Sequence, residues 1–354
     1  MKAKGLIIGL VIVLIVLILV FAIAMSFGFT DFDFNFNFNF ASLVEGVSNE
    51  YNLQIDISNE KEINVDTLNG FIEVYGWDKN YIFMEVTQRF RGFSDNELED
   101  MIEKTKPVIN KSNRLVDIKT PRMQWVLFFK NYGVSIKLHV PSEVFSKYNL
   151  NTSNGNVDLT DISGEISAGS SNGKIGINNV SGNIKADTSN GAITGINLDG
   201  NMDFKTSNGA FYGKDLNGNL RMLTSNGAIT IENSVLQLYL DTSNGSINVS
   251  ENTITGKNNH IKSSNGSILV NSILENTGEM NVKTSNSSIT FYIPEGKGAQ
   301  IEADTSNGKI ILSDLEVLTS EMDKDDLKGS VFGGGNLLIK LDTSNSNITI
   351  AKKQ

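Results

Sequence analysis

The pair Ser-Asn returns along this chain at intervals too regular for an ordinary globular domain. Its serines stand at 153, 171, 189, 207, 225, 243, 264, 285, 306 and 344. Five successive intervals are 18 residues and the next three are 21; the last is 38 and holds the charged stretch SEMDKDDLKG. A fixed period of this size marks a repeat architecture, in which units stack because one alone cannot bury its apolar face.

Counting from each serine shows what one unit contains. Apolar residues recur at the fourth and sixth positions (Val157 and Leu159, Ile175 and Ile177, Ile229 and Ile231). A ninth-position residue is usually apolar (Ile162, Val180, Leu198, Leu216). A second alternating pair follows at thirteen and fifteen, as in Ile166 and Ala168 or Met202 and Phe204. Alternation with period two is the mark of a strand with one buried face. The pattern predicts two short strands per unit, separated by a turn that is often Gly-Asn, as at Gly182-Asn183 and Gly200-Asn201. Stacked units would pair strands with the units above and below. The expected fold is all-β, a single-stranded β-solenoid of about 18–21 residues per coil over residues 151–351. Propeller blades need about 40 residues each. The apolar offsets also fail to repeat every six, as a hexapeptide helix requires. Within Ser-Asn-Gly, Gly and Asn are expected to supply a tight corner with positive φ. Asn amides could stack into a ladder, and the neighbouring Thr and Ser could bond locally.

The N-terminus carries a different signal. Lys2 and Lys4 precede an uncharged, mostly aliphatic run over residues 5–29, followed by Asp31 and Asp33. Its length suffices for a bilayer-spanning helix, and the lysines place the N-terminus in the cytoplasm with the bulk outside. Residues 1–29 therefore read as a cytoplasmic tip and transmembrane anchor. The alternative is a signal peptide cleaved near Ala24, after which the protein would be secreted. The continuation of the run past Ala24 favours the anchor. Residues 30–48 form a Phe/Asn-rich linker in which Phe32, Phe34, Phe36, Phe38 and Phe40 alternate with Asp or Asn. It is open to three readings: a membrane-proximal strand, a self-pairing strand, or a spacer.

Residues 49–150 form an N-terminal β region, with Leu68-Asn69-Gly70 expected to close a hairpin. One stretch changes period and predicts a helix near 94–106. Ser94 and Glu97 form a capping box, Leu98, Met101, Ile102 and Thr105 share a face, and Pro107 ends it. Trp125 to Phe129 reads as buried strand, with a membrane-touching patch as the alternative.

The composition also bears on chemistry. The 354-residue chain has a net charge of -10, which gives nucleic acid no basic face to bind. It has no cysteine, hence no disulfide, thiolate metal site or cysteine nucleophile. Its two histidines, His139 and His260, lack partners at metal-ligand spacing and read as structural or surface residues. Asp187, Asp241, Asp304 and Asp342 precede only some Thr-Ser-Asn triplets, without the nonapeptides of calcium-binding repeats. The repeated serines have no repeated base beside them. No catalytic, cofactor-binding or metal residue is assigned, no small-molecule substrate is identified, and no cofactor is expected. Glycosylation sequons occur at Asn110, Asn151, Asn179, Asn248, Asn286 and Asn347.

The repeated TSNG followed by an apolar-x-apolar strand resembles the putative-adhesin family of bacterial and archaeal β-strand-repeat domains. So do INVDTLNGFIEVYGWDK, the junction VSIKLHVPSEVFSKYNLNTSNGNVDL, and the closing GSVFGGGNLLIKLDTSNSNITI. The resemblance covers about residues 50–351, leaving out the Phe-rich linker and the helix near 94–106. It implies a β-strand-repeat fold and a presumed adhesive role, commonly behind a membrane segment, with no catalytic residues to carry over. The expected function is therefore a non-enzymatic, membrane-anchored adhesin-like or scaffold module at the cell envelope. Its expected partners are the membrane, through residues 5–29, and envelope polymer or further copies of itself. An envelope polysaccharide-processing β-helix enzyme and an accessory protein in envelope-stress signalling are the alternatives.

Overall fold

The computed structural model describes residues 46–123 and 130–353. The apolar run 5–29, the linker up to residue 45 and the Trp125–Phe129 patch lie outside the described residues. Among the described residues the fold is all-β with a single helix, and no helix is long and apolar enough to cross a membrane.

The strand Ile175–Thr188 shows how one repeat is built. It pairs in parallel with Val157–Ser170 on one side and Ile193–Thr206 on the other, each residue opposite its counterpart 18 positions away. Ile175, Ile177, Val180, Ile184 and Ala186 are all buried. Each large aliphatic chain so buried contributes roughly 1.5–3 kcal/mol. The buried positions are odd-numbered before residue 179 and even-numbered after it. That change of phase has a local cause: Asn179 has φ 53° and Gly182 has φ 122°. A left-handed residue swings the chain so that both halves keep an apolar face inward. The same position is left-handed in Asp161, Asn197, Asp215, Asn233 and Glu251, five of these six residues being the Asn or Asp that tolerate this conformation best. Two short strands separated by a turn, the sequence expectation, therefore become one bent strand of 14 residues in the repeats from Val157 to Thr224. The 21-residue repeats do divide in two. Their added residues lie near Gly256 (φ 80°), between the strands Ile247–Ile254 and Asn258–Ser263.

Each Ser-Asn-Gly corner is held twice over. Asn190 Nδ2 donates to Asn172 Oδ1, Asn208 to Asn190, Asn226 to Asn208 and Asn244 to Asn226, all at 2.7 Å. The row begins at Asn69, whose Nδ2 donates to the Tyr132 carbonyl at 3.1 Å and whose Oδ1 accepts from Asn154 at 2.6 Å. Just inside the corner a second row is buried. The Thr206 hydroxyl donates to the Gly191 carbonyl at 3.0 Å and accepts from the Gly209 N–H at 3.1 Å. This bridge matters more than the exposed amides, because unpaired backbone groups in the interior are costly.

The reason for glycine at the corner differs from the expected one. Neither the Asn nor the Gly of any Ser-Asn-Gly corner is left-handed. Gly191 instead lies so close to the layer beneath that a Cβ there would strike the Gly173 carbonyl. Tight stacking of backbone on backbone, not corner dihedrals, selects the residue.

At both ends, order in the stack departs from order in the chain. The strands Glu62–Thr67 and Ile72–Trp77 do not form the expected hairpin around Leu68-Asn69-Gly70. The first pairs with Leu115–Lys119 and Lys147–Thr152, the second with Asn131–Pro141 and Val157–Ser170, all in parallel. Leu68-Asn69-Gly70 is thus a corner of the same kind as Ser-Asn-Gly. At the other end, the last repeat in sequence, Asn336–Thr343 and Ile348–Lys352, lies between two earlier ones. It pairs with Thr277–Lys283 and Ile289–Ile293 on one side, and with Ala299–Thr305 and Ile310–Ser313 on the other. Accordingly Asn345 donates to Asn286 and Asn307 donates to Asn345. The charged stretch 320–329 joins Val317–Met322 to Asp326–Val331, which pairs antiparallel with Ala299–Thr305.

The N-terminal sheet edge is antiparallel. Val47–Asp56, which starts two residues before the expected boundary, pairs with Tyr81–Arg91, and that strand pairs with Asn131–Pro141. Helix α1, Asp95–Lys104, begins at Ser94 as expected, with the Glu97 carboxylate accepting from the Ser94 N–H at 3.0 Å. Lys130 and these Ser94 donors hold the Glu97 pKa down at about 2. Leu98, Met101 and Ile102 pack against the core. Beneath the helix the buried Gln88 amide donates to the Ile102 carbonyl and to Thr105 Oγ1, both at 2.8 Å. Beyond the other end of the strand Val47–Asp56, buried Glu60 accepts from the Ser58 N–H at 2.6 Å and pairs with Lys111 at 3.1 Å, so its pKa also falls to about 2.

Candidate binding surface

The second half of each repeat turns alternate side chains outward, and the 18-residue register sets like positions above one another. One outward row is amide: Asn201 Nδ2 donates to Asn183 Oδ1 at 2.9 Å, and Asn219 to Asn201 at 2.8 Å. Two residues further along, the next row runs Lys185, Asp203, Arg221, Tyr239, His260, adjacent in register from strand to strand. Arg221 pairs with Asp203 at 2.8 Å and lies 5.7 Å from the Tyr239 ring. Tyr239 in turn stacks on His260, with centroids 4.8 Å apart and planes inclined by 23°. These rows, as far as Tyr239, line an open groove of about 1050 Å³, with the Lys147–Glu165 pair (3.4 Å) at its near end.

The groove presents donors, acceptors and the Tyr239 ring in successive layers. Neighbouring layers lie about 4.8 Å apart, so like positions recur at that spacing along the groove. His260 is pushed toward its neutral form by desolvation, opposed by Asp241. No residue of this surface stands out in the sequence, because its members are 18 or 21 residues apart and meet only through the register. The signal lay in the outward twelfth and fourteenth positions of each repeat, where Asn183, Asn201 and Asn219 recur.

The residues weighed in sequence fall elsewhere. His139 lies on a different strand set, its Nε2 3.2 Å from Glu85 Oε1. Asp342 pairs with Lys283 at 2.7 Å. The corner serines stack through their backbones, Ser189 N–H donating to the Ser171 carbonyl at 3.2 Å. Among the described residues, no group of three or more His, Asp or Glu side chains is placed to hold a metal ion. Of the sequons, Asn286 has its amide within the corner row and Asn179 donates to Asp161, so a glycan on either would break a row. Asn110 stands exposed on the strand Val108–Lys111.

No protein-family model matches the chain. No curated protein matches it either. Among solved structures it is similar to a putative cell adhesion protein from Clostridium sporogenes, at 13% identity and a TM-score of 0.22, over 87% of this chain and all of that one. It is also similar to a putative lipid binding protein from Parabacteroides distasonis, at 16% identity and a TM-score of 0.32. A putative adhesin from the same organism gives 11% identity and a TM-score of 0.32. Each of these two likenesses spans 86% of this chain and 97% of the other. TM-scores below 0.5 do not establish a common fold, so the architecture stands on its own pairing register.

Proposed function

We propose that this protein is a non-enzymatic binding or scaffold module of the cell envelope. In this reading it is a membrane-anchored β-solenoid that holds extended polymer along its outward rows, in the manner of an adhesin. The observation that carries the reading is the groove of about 1050 Å³, in which the amides of Asn183, Asn201 and Asn219 recur once per layer. A repeating surface matches a repeating ligand, because one register of contacts serves many subunits of the polymer. Individually weak contacts then add along its length. Residues 5–29, with Lys2 and Lys4 before them, supply the anchor and set the repeats outside the cytoplasmic membrane.

The test is co-sedimentation of the full chain, in phospholipid nanodiscs, with insoluble envelope polysaccharide. Saturable binding is expected, and the triple variant Asn183→Ala, Asn201→Ala, Asn219→Ala should weaken it while lowering the melting transition only slightly, since water replaces the exposed amide bonds it removes. If the chain bound neither envelope polymer nor further copies of itself, the proposal would fail.

A further inference from the structure

A second surface, built from different residues, gathers aromatic rings on the N-terminal strands. On the strands Ile72–Trp77, Tyr81–Arg91 and Asn131–Pro141 the inward residues Val74, Ile82, Met84, Leu138 and Val140 complete the core. Their outward neighbours Tyr75, Trp77, Tyr81, Phe83 and His139 are half-buried. The rings form one cluster around His139, whose centroid lies 5.6 Å from Tyr75, 5.3 Å from Trp77 and 6.2 Å from Phe83. Trp77 meets Tyr81 edge-on at 5.0 Å. In the next layers the position level with Tyr75 is held by Thr160, Asn178, Ile196 and Lys214. The cluster is therefore a local addition to the lattice, not a requirement of stacking.

Polar groups rim the rings. Glu85 is held by Lys137 at 2.8 Å and by His139 at 3.2 Å. Glu73 accepts from the Tyr75 hydroxyl at 3.3 Å. Lys79, at the exposed tip between Trp77 and Tyr81, lies with its ammonium 4.7 Å from one ring and 5.7 Å from the other. A cation parked on an exposed ring is held weakly and can be displaced by a group that covers more of the ring. We propose that Tyr75, Trp77 and Tyr81, with Glu73 beside Tyr75 and Lys79 over Trp77 and Tyr81, form a binding site for a neutral pyranose saccharide.

The chemistry singles out this class of ligand. A pyranose has an apolar C–H face that stacks on an indole or phenol ring and a rim of hydroxyls that need donors and acceptors. Lys79 supplies donors, and Glu73 with the Tyr81 hydroxyl supplies acceptors. An anion is disfavoured, because Glu73, Asp78, Glu85 and Asp158 outnumber Lys79 and Lys137 here, and Lys137 is already paired. The site is independent of the groove, sharing no residue with it.

The test uses the full chain in phospholipid nanodiscs, with Trp125→Phe making Trp77 the sole indole. Titration with cellohexaose and with chitohexaose is followed by indole fluorescence. One of the two is expected to give a saturable change. Tyr81→Ala, read in the same way, should weaken that binding by about tenfold, the scale of one lost ring contact. Trp77→Phe, followed by calorimetry, should retain most of the affinity, and Asn201→Ala in the groove should leave it unchanged. Melting curves identify any variant that has lost its fold, in which case Lys79→Ala and Glu73→Gln take its place. Absence of saturation with both sugars would overturn the proposal, as would binding indifferent to these residues. A response to tetramethylammonium alone would make the cluster a cation cage, and concentration-dependent dimerisation lost on Tyr81→Ala would make it a self-association surface. Either result also overturns it.

Discussion

The body of the stack and its two ends use the same corner but obey different rules of order. From Val157 to Ile293 each repeat lies on its predecessor in sequence, at an offset of 18 or 21 residues. Before and after that stretch, strands distant in the chain are interleaved: residues 62–77 between two later segments, and residues 336–352 between two earlier ones. The lesson is that a corner with its flanking strands will accept any neighbour offering the same edge. Sequence adjacency decides the neighbour only where the connection is too short to reach elsewhere. At the ends the longer connections release that restriction. Interleaving there gives residues 62–77 and 336–352 partners on both sides, so that neither segment is a free edge strand that could pair with another chain.

The strongest way to break this comparison is to remove the interleaved strand. Truncation after Gly335 should strip the parallel partners from residues 299–313, leaving only the antiparallel strand 326–331, while the body keeps its register. Hydrogen exchange should then show loss of protection across 299–331, with residues 157–270 unaffected. Loss of protection throughout would instead make the body depend on its end.

The next largest effect is expected at the corner glycine. Gly191→Ser forces a side chain against the Gly173 carbonyl and should cost about 3 kcal/mol in denaturant unfolding. Ser346, which stands at the equivalent corner of the interleaved repeat, already carries a Cβ; Ser346→Gly should change stability by less than about 1 kcal/mol. Equal effects at the two positions would show that body and end stack with the same closeness.

Thr206→Val removes the hydroxyl that bridges Gly209 N–H and the Gly191 carbonyl, leaving both buried groups unpaired. A loss of about 2 kcal/mol is expected from the melting transition. Asn244→Val interrupts the exposed amide row, where Asn244 donates to Asn226 and accepts from Asn265, both at 2.7 Å. Water satisfies the amides left behind, so about 1 kcal/mol is expected, with binding in the groove unchanged.

Acid separates body from end most gently. Glu60 and Glu97 both belong to the N-terminal end, and each has its pKa lowered from 4.5 to about 2. A carboxylate with a depressed folded pKa stabilises the fold above its unfolded value and loses that contribution as pH falls toward the folded value. Between pH 4.5 and about 2, the region 47–119 should therefore loosen before the body does. Glu60→Gln combined with Glu97→Gln should remove most of that difference, read as the pH dependence of amide protection in the two regions.

Much of this structure was legible in advance. Ile175, Ile177, Val180, Ile184 and Ala186 are buried as their offsets require, the amide row forms, and α1 begins at its capping box. These features depend on residues close in sequence, whose alternation and local bonding hold wherever the segment is placed. Other features escaped sequence reading. Gly191 was assigned to a dihedral need, yet it answers to a carbonyl 18 residues away. The left-handed bend at Asn179 was hidden because Asp and Glu occupy the same position elsewhere. The binding surfaces were hidden because Asn183 and Asn201, or Trp77 and His139, become neighbours only through register.

The sequence by itself therefore determined the unit: where the chain turns, which side chains face inward, and how many residues separate like positions. The tertiary structure decided the order of the end layers, the closeness that demands glycine, and which outward residues converge. The reason is physical. Local patterns fix the conformation of a segment, whereas the choice among equivalent sheet edges is made by the connections and contacts of the whole stack.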